Sequence, residues 1–148
     1  MRPLREAAMK TDLATLRSFF AASPFMVDLG VEPTAVGEGR VWTVLPLAHR
    51  HLQHTGQAHA GVMASLADHS MGAAAQTVAP DGHWVLTAEL KTSLLRPGRG
   101  ERLECEAHVL KPGRMLSFTE AEVYAVSGDQ RTLVMKASGT MAVVPMNR

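Results

Sequence analysis

The sequence predicts an α+β domain in which an antiparallel sheet wraps around one long, buried helix. First, the stretch His51–Pro80 contains a single Asp and no Glu, Lys or Arg. From Ala60 to Val78 it is rich in Ala, Met, Leu and Gly, which suits a helix packed on most of its circumference. Second, period-two alternation follows that helix: Leu103, Cys105, Ala107 and Val109 lie on one face, against Arg102, Glu104, Glu106 and His108 on the other. Third, Gly- and Pro-bearing turns divide the remaining chain into strand-length pieces.

Taken in order, Leu4, Ala7, Ala8, Leu13, Leu16, Phe19 and Phe20 recur at roughly helical spacing, and Thr11 or Asp12 is placed to cap a second helical segment. This predicts a helical extension over 1–24, packed on the domain that occupies 25–148 or on a partner chain. Pro24 marks a break, and Phe25–Gly30 reads as an apolar turn. Val31–Ala35 and Arg40–Leu45 form a first hairpin about Gly37-Glu38-Gly39, closed by Pro46. His49–Gln57 is a loop leading into the helix. After the turn Ala79-Pro80-Asp81-Gly82, strands are expected at His83–Leu95, Glu101–Leu110, Arg114–Val126 and Arg131–Val144. Two strands, one helix and three or four further strands is an α+β order, with no repeat or linker that would mark a second domain.

Composition narrows the function. At 148 residues, 46% hydrophobic and 20% charged, the chain can bury a substantial core. A net charge of +1 argues against a nucleic-acid partner bound by phosphate neutralisation. MRPLREAAMK lacks the apolar core of a signal peptide, and the Gly, Ser, Gln and His of the central stretch argue against a membrane span; a soluble, cytoplasmic protein is expected. Cys105 is the single cysteine, so no internal disulfide forms, and the flanking Glu104 and Glu106 disfavour a thiolate.

Asp68 is the chemical centre of the helix. A carboxylate with no nearby cation in sequence, on a helix that looks buried, needs a partner from elsewhere or carries a raised pKa. Its role is either a structural hydrogen bond to a strand or loop, or catalysis. At the helix start stand His59, Ala60 and Gly61. The first N–H groups of a helix lack internal partners and favour an anion or a developing oxyanion, and small side chains let a carbonyl approach.

Gln53, His59-Ala60-Gly61, Leu66-Ala67-Asp68, Thr87-Ala88-Glu89-Leu90 and Leu94-Leu95-Arg96-Pro97-Gly98 together resemble the hotdog-fold acyl-CoA thioesterases of the phenylacetyl-CoA (PaaI-like) type, from about Phe25 to Val144. The resemblance implies a hotdog fold and hydrolysis of an acyl-CoA ester, aryl or medium-chain. It implies that the N–H of the residue after His, here Ala60 where that family has Gly, polarises the thioester carbonyl. The family carboxylate, nine positions after its His, falls on Asp68, as general base or as nucleophile. The helper amide falls on Gln53, where Asn is common, and the water-positioning hydroxyl on Thr87. His59 braces the turn, and Gly61 gives the substrate room. Arg96, Lys111 and Arg114, with Arg99, lie in turns that border the nucleotide portion of coenzyme A in the resembling family. No cofactor is implied beyond the CoA of the substrate.

His59 and Asp68 are nine residues apart, about 13 Å along a helix. One helix cannot bring both to a single carbonyl, so a shared substrate requires at least a dimer with isologous contacts. This agrees with the resemblance, whose sites lie at a dimer interface; a homodimer, assembled as a dimer of dimers, is the expected state.

Other chemistry has less support. His49, His51, His54 and His59 crowd one loop but match no metal-ligand spacing, and no metal is expected. His69 points about 100° away from Asp68. No G-x-S-x-G elbow, G-x-G-x-x-G fingerprint or G-K-[ST] phosphate loop is present. Two alternatives keep the same fold: a non-catalytic acyl-CoA sensor, suggested by Ala60, and a hydratase or dehydratase of acyl thioesters.

Overall fold

The computed structural model describes residues 11–147. Leu4, Ala7 and Ala8, part of the expected N-terminal helical spacing, lie outside them. Helix α1, Leu13–Ala21, starts at Asp12, whose carboxylate accepts the Thr15 N–H at 2.8 Å. That bond holds the Asp12 carboxyl below the usual carboxylate range. Leu16 and Phe20, one turn apart, are its buried residues. Phe25–Gly30, expected as a turn, is instead mostly a short helix, α2, Pro24–Leu29. Pro24 occupies its first turn, where the missing N–H costs nothing, and Gly30 ends it at φ 88°.

The hairpin strands are β1, Glu32–Gly37, and β2, Arg40–Pro46. A 3-10 turn at His49–His51 precedes the long helix α3, Ala60–Gln76. Four strands complete the chain: β3 His83–Leu94, β4 Arg102–Lys111, β5 Leu116–Ser127 and β6 Gln130–Pro145. They form one six-stranded sheet in the order β1-β2-β4-β5-β6-β3, antiparallel throughout. This is the hotdog architecture expected from the sequence.

The core lies between α3 and the concave face of the sheet. Leu66, Ala67, Met71 and Ala74 of α3 pack with Val41, Leu45, Leu103, Val123 and Met141. The Ser70 hydroxyl, 2.8 Å from that of Thr43, ties α3 to β2 inside this core. Cys105 is buried, and its thiol is pushed up to about 12 by that burial, so it is a packing residue as expected. The convex face is polar toward one end, where Arg102 and Arg131 both hold Glu104, at 2.8 and 3.0 Å.

Burial of α3 is less complete than its composition predicts. Gly61 is exposed, while Ala64, Ser65, Asp68 and Gly72 are half-buried, and these share the side turned from the sheet. His69 is covered by α1: its ring stacks on Phe19 at 5.8 Å between centroids and meets Phe20 edge-on at 4.5 Å.

Candidate active site

The loop before α3 is pinned by backbone bonds that aim the helix start. The Ala58 N–H donates to the Gly98 carbonyl at 2.8 Å, and the His59 N–H to His51 at 2.9 Å. Gly98 permits this approach, since a Cβ there would lie 3.1 Å from both Ala58 Cβ and Met63 Sδ. His51 is buried and structural. Its Nδ1 accepts the Ala48 N–H at 2.9 Å, which leaves Nε2–H to donate to the Leu29 carbonyl at 2.7 Å. His49 and His54 are exposed, and no group of three or more His, Cys, Asp or Glu side chains gathers at metal distance among the described residues.

His59 is the N-cap of α3, with its Nδ1 accepting the Gly61 N–H at 2.9 Å. The ring folds closely over Gly61, where a Cβ would come within 3.1 Å of Nδ1. The cap thus occupies the second N–H of the helix. The first, on Ala60, has no acceptor among the described residues, and Ala60 is exposed. A free N–H at the positive end of a seventeen-residue helix can polarise a carbonyl or hold an oxyanion.

Asp68 lies two turns further along. The Thr87 hydroxyl of β3 donates to Asp68 Oδ1 at 2.7 Å and sits 3.5 Å from Met141 Sδ. The carboxylate partner that the sequence requires is therefore a neutral hydroxyl, and Asp68 takes part in no ion pair among the described residues. One anionic oxygen is anchored and the other, Oδ2, has no protein donor among the described residues. Such a group can accept a proton from water or attack an electrophile.

Gln53 opens a tight turn, its N–H bonded to the Gln57 carbonyl at 2.8 Å and its carbonyl accepting from Gly56 at 2.9 Å. Its half-buried side chain has no hydrogen bond among the described residues. The basic residues are divided. Arg96 and Arg99 flank Gly98, beside the α3 N-terminus, and Arg96 Nη1 donates to the Leu133 carbonyl at 2.8 Å. Lys111 ends β4 and Arg114 lies just past it, roughly 30 Å away at about 3.3 Å per residue. A single chain therefore brings together Asp68 with Thr87, and sets His59, Ala60 and Gly61 beside the turn that carries Arg96, whose guanidinium is held by the Leu133 carbonyl. It does not join Ala60 to Asp68, or Arg96 to Lys111 and Arg114.

Sequence reasoning missed Gln76. Its amide oxygen accepts the Val85 N–H at 3.0 Å and its amide nitrogen donates to the His83 carbonyl at 2.9 Å, clamping the end of α3 to the start of β3. Glutamine near a helix end carries no signature that would reveal such a clamp.

The family model described as Thioesterase superfamily matches residues 55–132, which span the α3 start, Asp68, Thr87 and the turns after β3 and β4. A putative esterase of Caenorhabditis elegans is 33% identical over 116 residues, covering 78% of this chain and 67% of that protein. Among solved structures, a thioesterase family protein from Silicibacter pomeroyi superposes with a TM-score of 0.85 at 32% identity, covering 88% of this chain and 96% of that one. The Escherichia coli PaaI protein from the phenylacetic acid degradation operon superposes with a TM-score of 0.77 at 20% identity, over 86% and 88% of the chains, a likeness of fold.

Proposed function

The chain belongs to the thioesterase superfamily, and from that premise we propose that it hydrolyses acyl-CoA thioesters at a site shared between two copies. The observation that carries this reading is the pairing of Asp68 with Thr87 on a helix whose first N–H is free. Ala60 and Asp68, eight residues apart on α3, are separated by about 12 Å. The oxyanion donor of one copy therefore works with the carboxylate of its partner. β3 supports the assembly, since it is the edge strand beside β6, and Leu86, Leu90 and Leu94 along it are exposed.

In the reaction, Thr87 holds Oδ1 of Asp68 and the free Oδ2 takes a proton from water. The water oxygen adds to the thioester carbon, and the negative charge moves to the carbonyl oxygen, held by the Ala60 N–H of the other copy. The tetrahedral species collapses by breaking the carbon–sulfur bond, and the thiolate of CoA recovers the proton from Asp68. Direct attack by Oδ2 instead breaks the carbon–sulfur bond, releases the CoA thiolate and gives an anhydride, which water then hydrolyses to the free acid and the Asp68 carboxylate. The hydrogen bond from Thr87 holds the carboxylate in place for either role. Gln53 orients the thioester, and His59 keeps the helix start in place.

Antiparallel pairing of two β3 edges reverses the ends of the second sheet. Arg96 of one copy then lies at the same end as the partner's Lys111 and Arg114, a basic set suited to the phosphates of CoA. A dimer of dimers is supported by the exposed apolar cluster of Trp84, Leu86, Leu116 and Phe118 on the convex face, which the strand register makes contiguous.

Thiol release measured over aryl- and medium-chain acyl-CoA esters tests the reading. Turnover that collapses in Asp68→Asn while CoA still binds is the expected result. Acyl-CoA binding with no thiol release by the unaltered protein would make it a sensor, and hydration of an enoyl-CoA would make it a hydratase.

A further inference from the structure

The free edge of β3 changes character along its length. N–H and C=O groups of successive residues point to opposite edges of a strand. The Gly82 carbonyl accepts from Met146, just past the end of β6, so His83 and Val85 turn their backbone groups outward, where Gln76 holds them. A bulge between Thr87 and Glu89 then shifts the phase by one residue. Beyond it the Leu95 N–H donates to Val134, so that Ala88, Leu90, Thr92 and Leu94 present the outward groups.

We infer that Gln76 acts as a register stop for a second copy of this chain, leaving Ala88 to Leu94 as the pairing edge and placing the two-fold axis at Leu90. The inference rests on the shared-site reading and adds to it a register and the residue that enforces it. A symmetric antiparallel ladder on this edge can be centred at Leu90, Lys91 or Thr92. Centring at Lys91 sets Lys91 against the partner's Lys91, a like-charge contact that destabilises a sheet. Centring at Thr92 sets Glu89 against the partner's Leu95. Centring at Leu90 sets Glu89 against the partner's Lys91 twice by symmetry, and pairs Ala88 with the partner's Thr92. Slippage toward the start of β3 would require the backbone groups that Gln76 already occupies.

Single cysteines at positions 89 and 91 read the register; native Cys105, at 1% exposure, stays out of the exchange. With the axis at Leu90, residue 89 lies opposite the partner's residue 91 at a Cα separation of about 4.5 Å, within disulfide reach. Two copies of residue 91 lie about 8 Å apart, beyond it. Mixed Glu89→Cys and Lys91→Cys protein should therefore form disulfide-linked dimers about tenfold faster than Lys91→Cys alone. Adding Gln76→Ala, or Gln76→Met if the first variant does not fold, permits slippage toward the start of β3, which sets residue 89 against its own copy, and should raise the Glu89→Cys homodimer cross-link to a comparable rate. A dimer that cross-links through Lys91→Cys alone overturns the register, and an unchanged pattern in the Gln76 variants overturns the stop. A monomer in sedimentation of the unaltered protein removes the shared site itself, an outcome distinct from both.

Discussion

The Thr87 hydroxyl lies 2.7 Å from Asp68 Oδ1 and joins the middle of β3 to the middle of α3. A hydrogen bond to a charged group contributes roughly 1.5–3 kcal/mol. If it holds the carboxylate for catalysis, Thr87→Val should lower kcat about ten- to a hundredfold, while Thr87→Ser retains most of it. Steady-state thiol release checks both. Equal activity in Thr87→Val would leave the bond a structural tie between helix and strand.

A shared site has a stoichiometric consequence. Protein carrying Asp68→Asn and protein carrying Gln53→Ala each have two damaged sites per dimer. In a hybrid, the unaltered Gln53 of one chain meets the unaltered Asp68 of the other, and one site is whole. Statistical exchange of an equal mixture should restore about a quarter of the unaltered turnover. Absence of recovery, with subunit exchange demonstrated by mass-tagged chains, would place both residues in the same subunit's site.

His69 supplies a pH dependence unrelated to catalysis. Its Nε2 is buried without a hydrogen-bond partner among the described residues, and its ring is packed against Phe19 and Phe20. Burial pushes its pKa below the ordinary histidine value, against the opposing pull of Asp68. The folded state therefore resists a proton that the unfolded chain accepts. Stability is complete above the unfolded value of about 6.5 and falls as pH drops below it toward the folded pKa. The melting temperature of the unaltered protein should decline below pH 6.5 more steeply than that of His69→Phe. Parallel curves would assign the decline to other groups.

The parts of the molecule that were legible in the sequence are those governed by periodicity. Leu103, Cys105 and Ala107 alternate because β4 has one wet face, and the run to Pro80 with Asp68 as its single acidic or basic residue besides histidine marks α3 because most of it is buried. Asp68 stood out because a carboxylate in such a run needs a partner. What stayed hidden depends on contacts between distant segments. Pro24 reads equally as a helix breaker or as the first residue of a six-residue helix, and only Gly30 in the left-handed region decides it. The bulge at Thr87/Glu89, which sets the edge presented by β3, has no local residue signature. Phe19 and Phe20 announce a buried face, but not that its partner is a histidine.

Ala60 allows the oxyanion donor to be removed with little disturbance of the fold. Proline is favoured at the first position of a helix because the N–H it lacks has no intrahelical partner there. The residue before a proline must be extended, and His59 already is, at φ −63° and ψ 139°. The His59 cap uses the N–H of Gly61, which the substitution leaves in place. Ala60→Pro should therefore fold with an unchanged melting temperature while losing the one free donor at the helix start. Loss of a single oxyanion donor lowers kcat by about 10²–10³, with KM changed far less because the interaction is made in the transition state. Ala60→Gly keeps the N–H and should stay within a few fold of the unaltered turnover. A fully active Ala60→Pro protein would move the oxyanion site away from the start of α3.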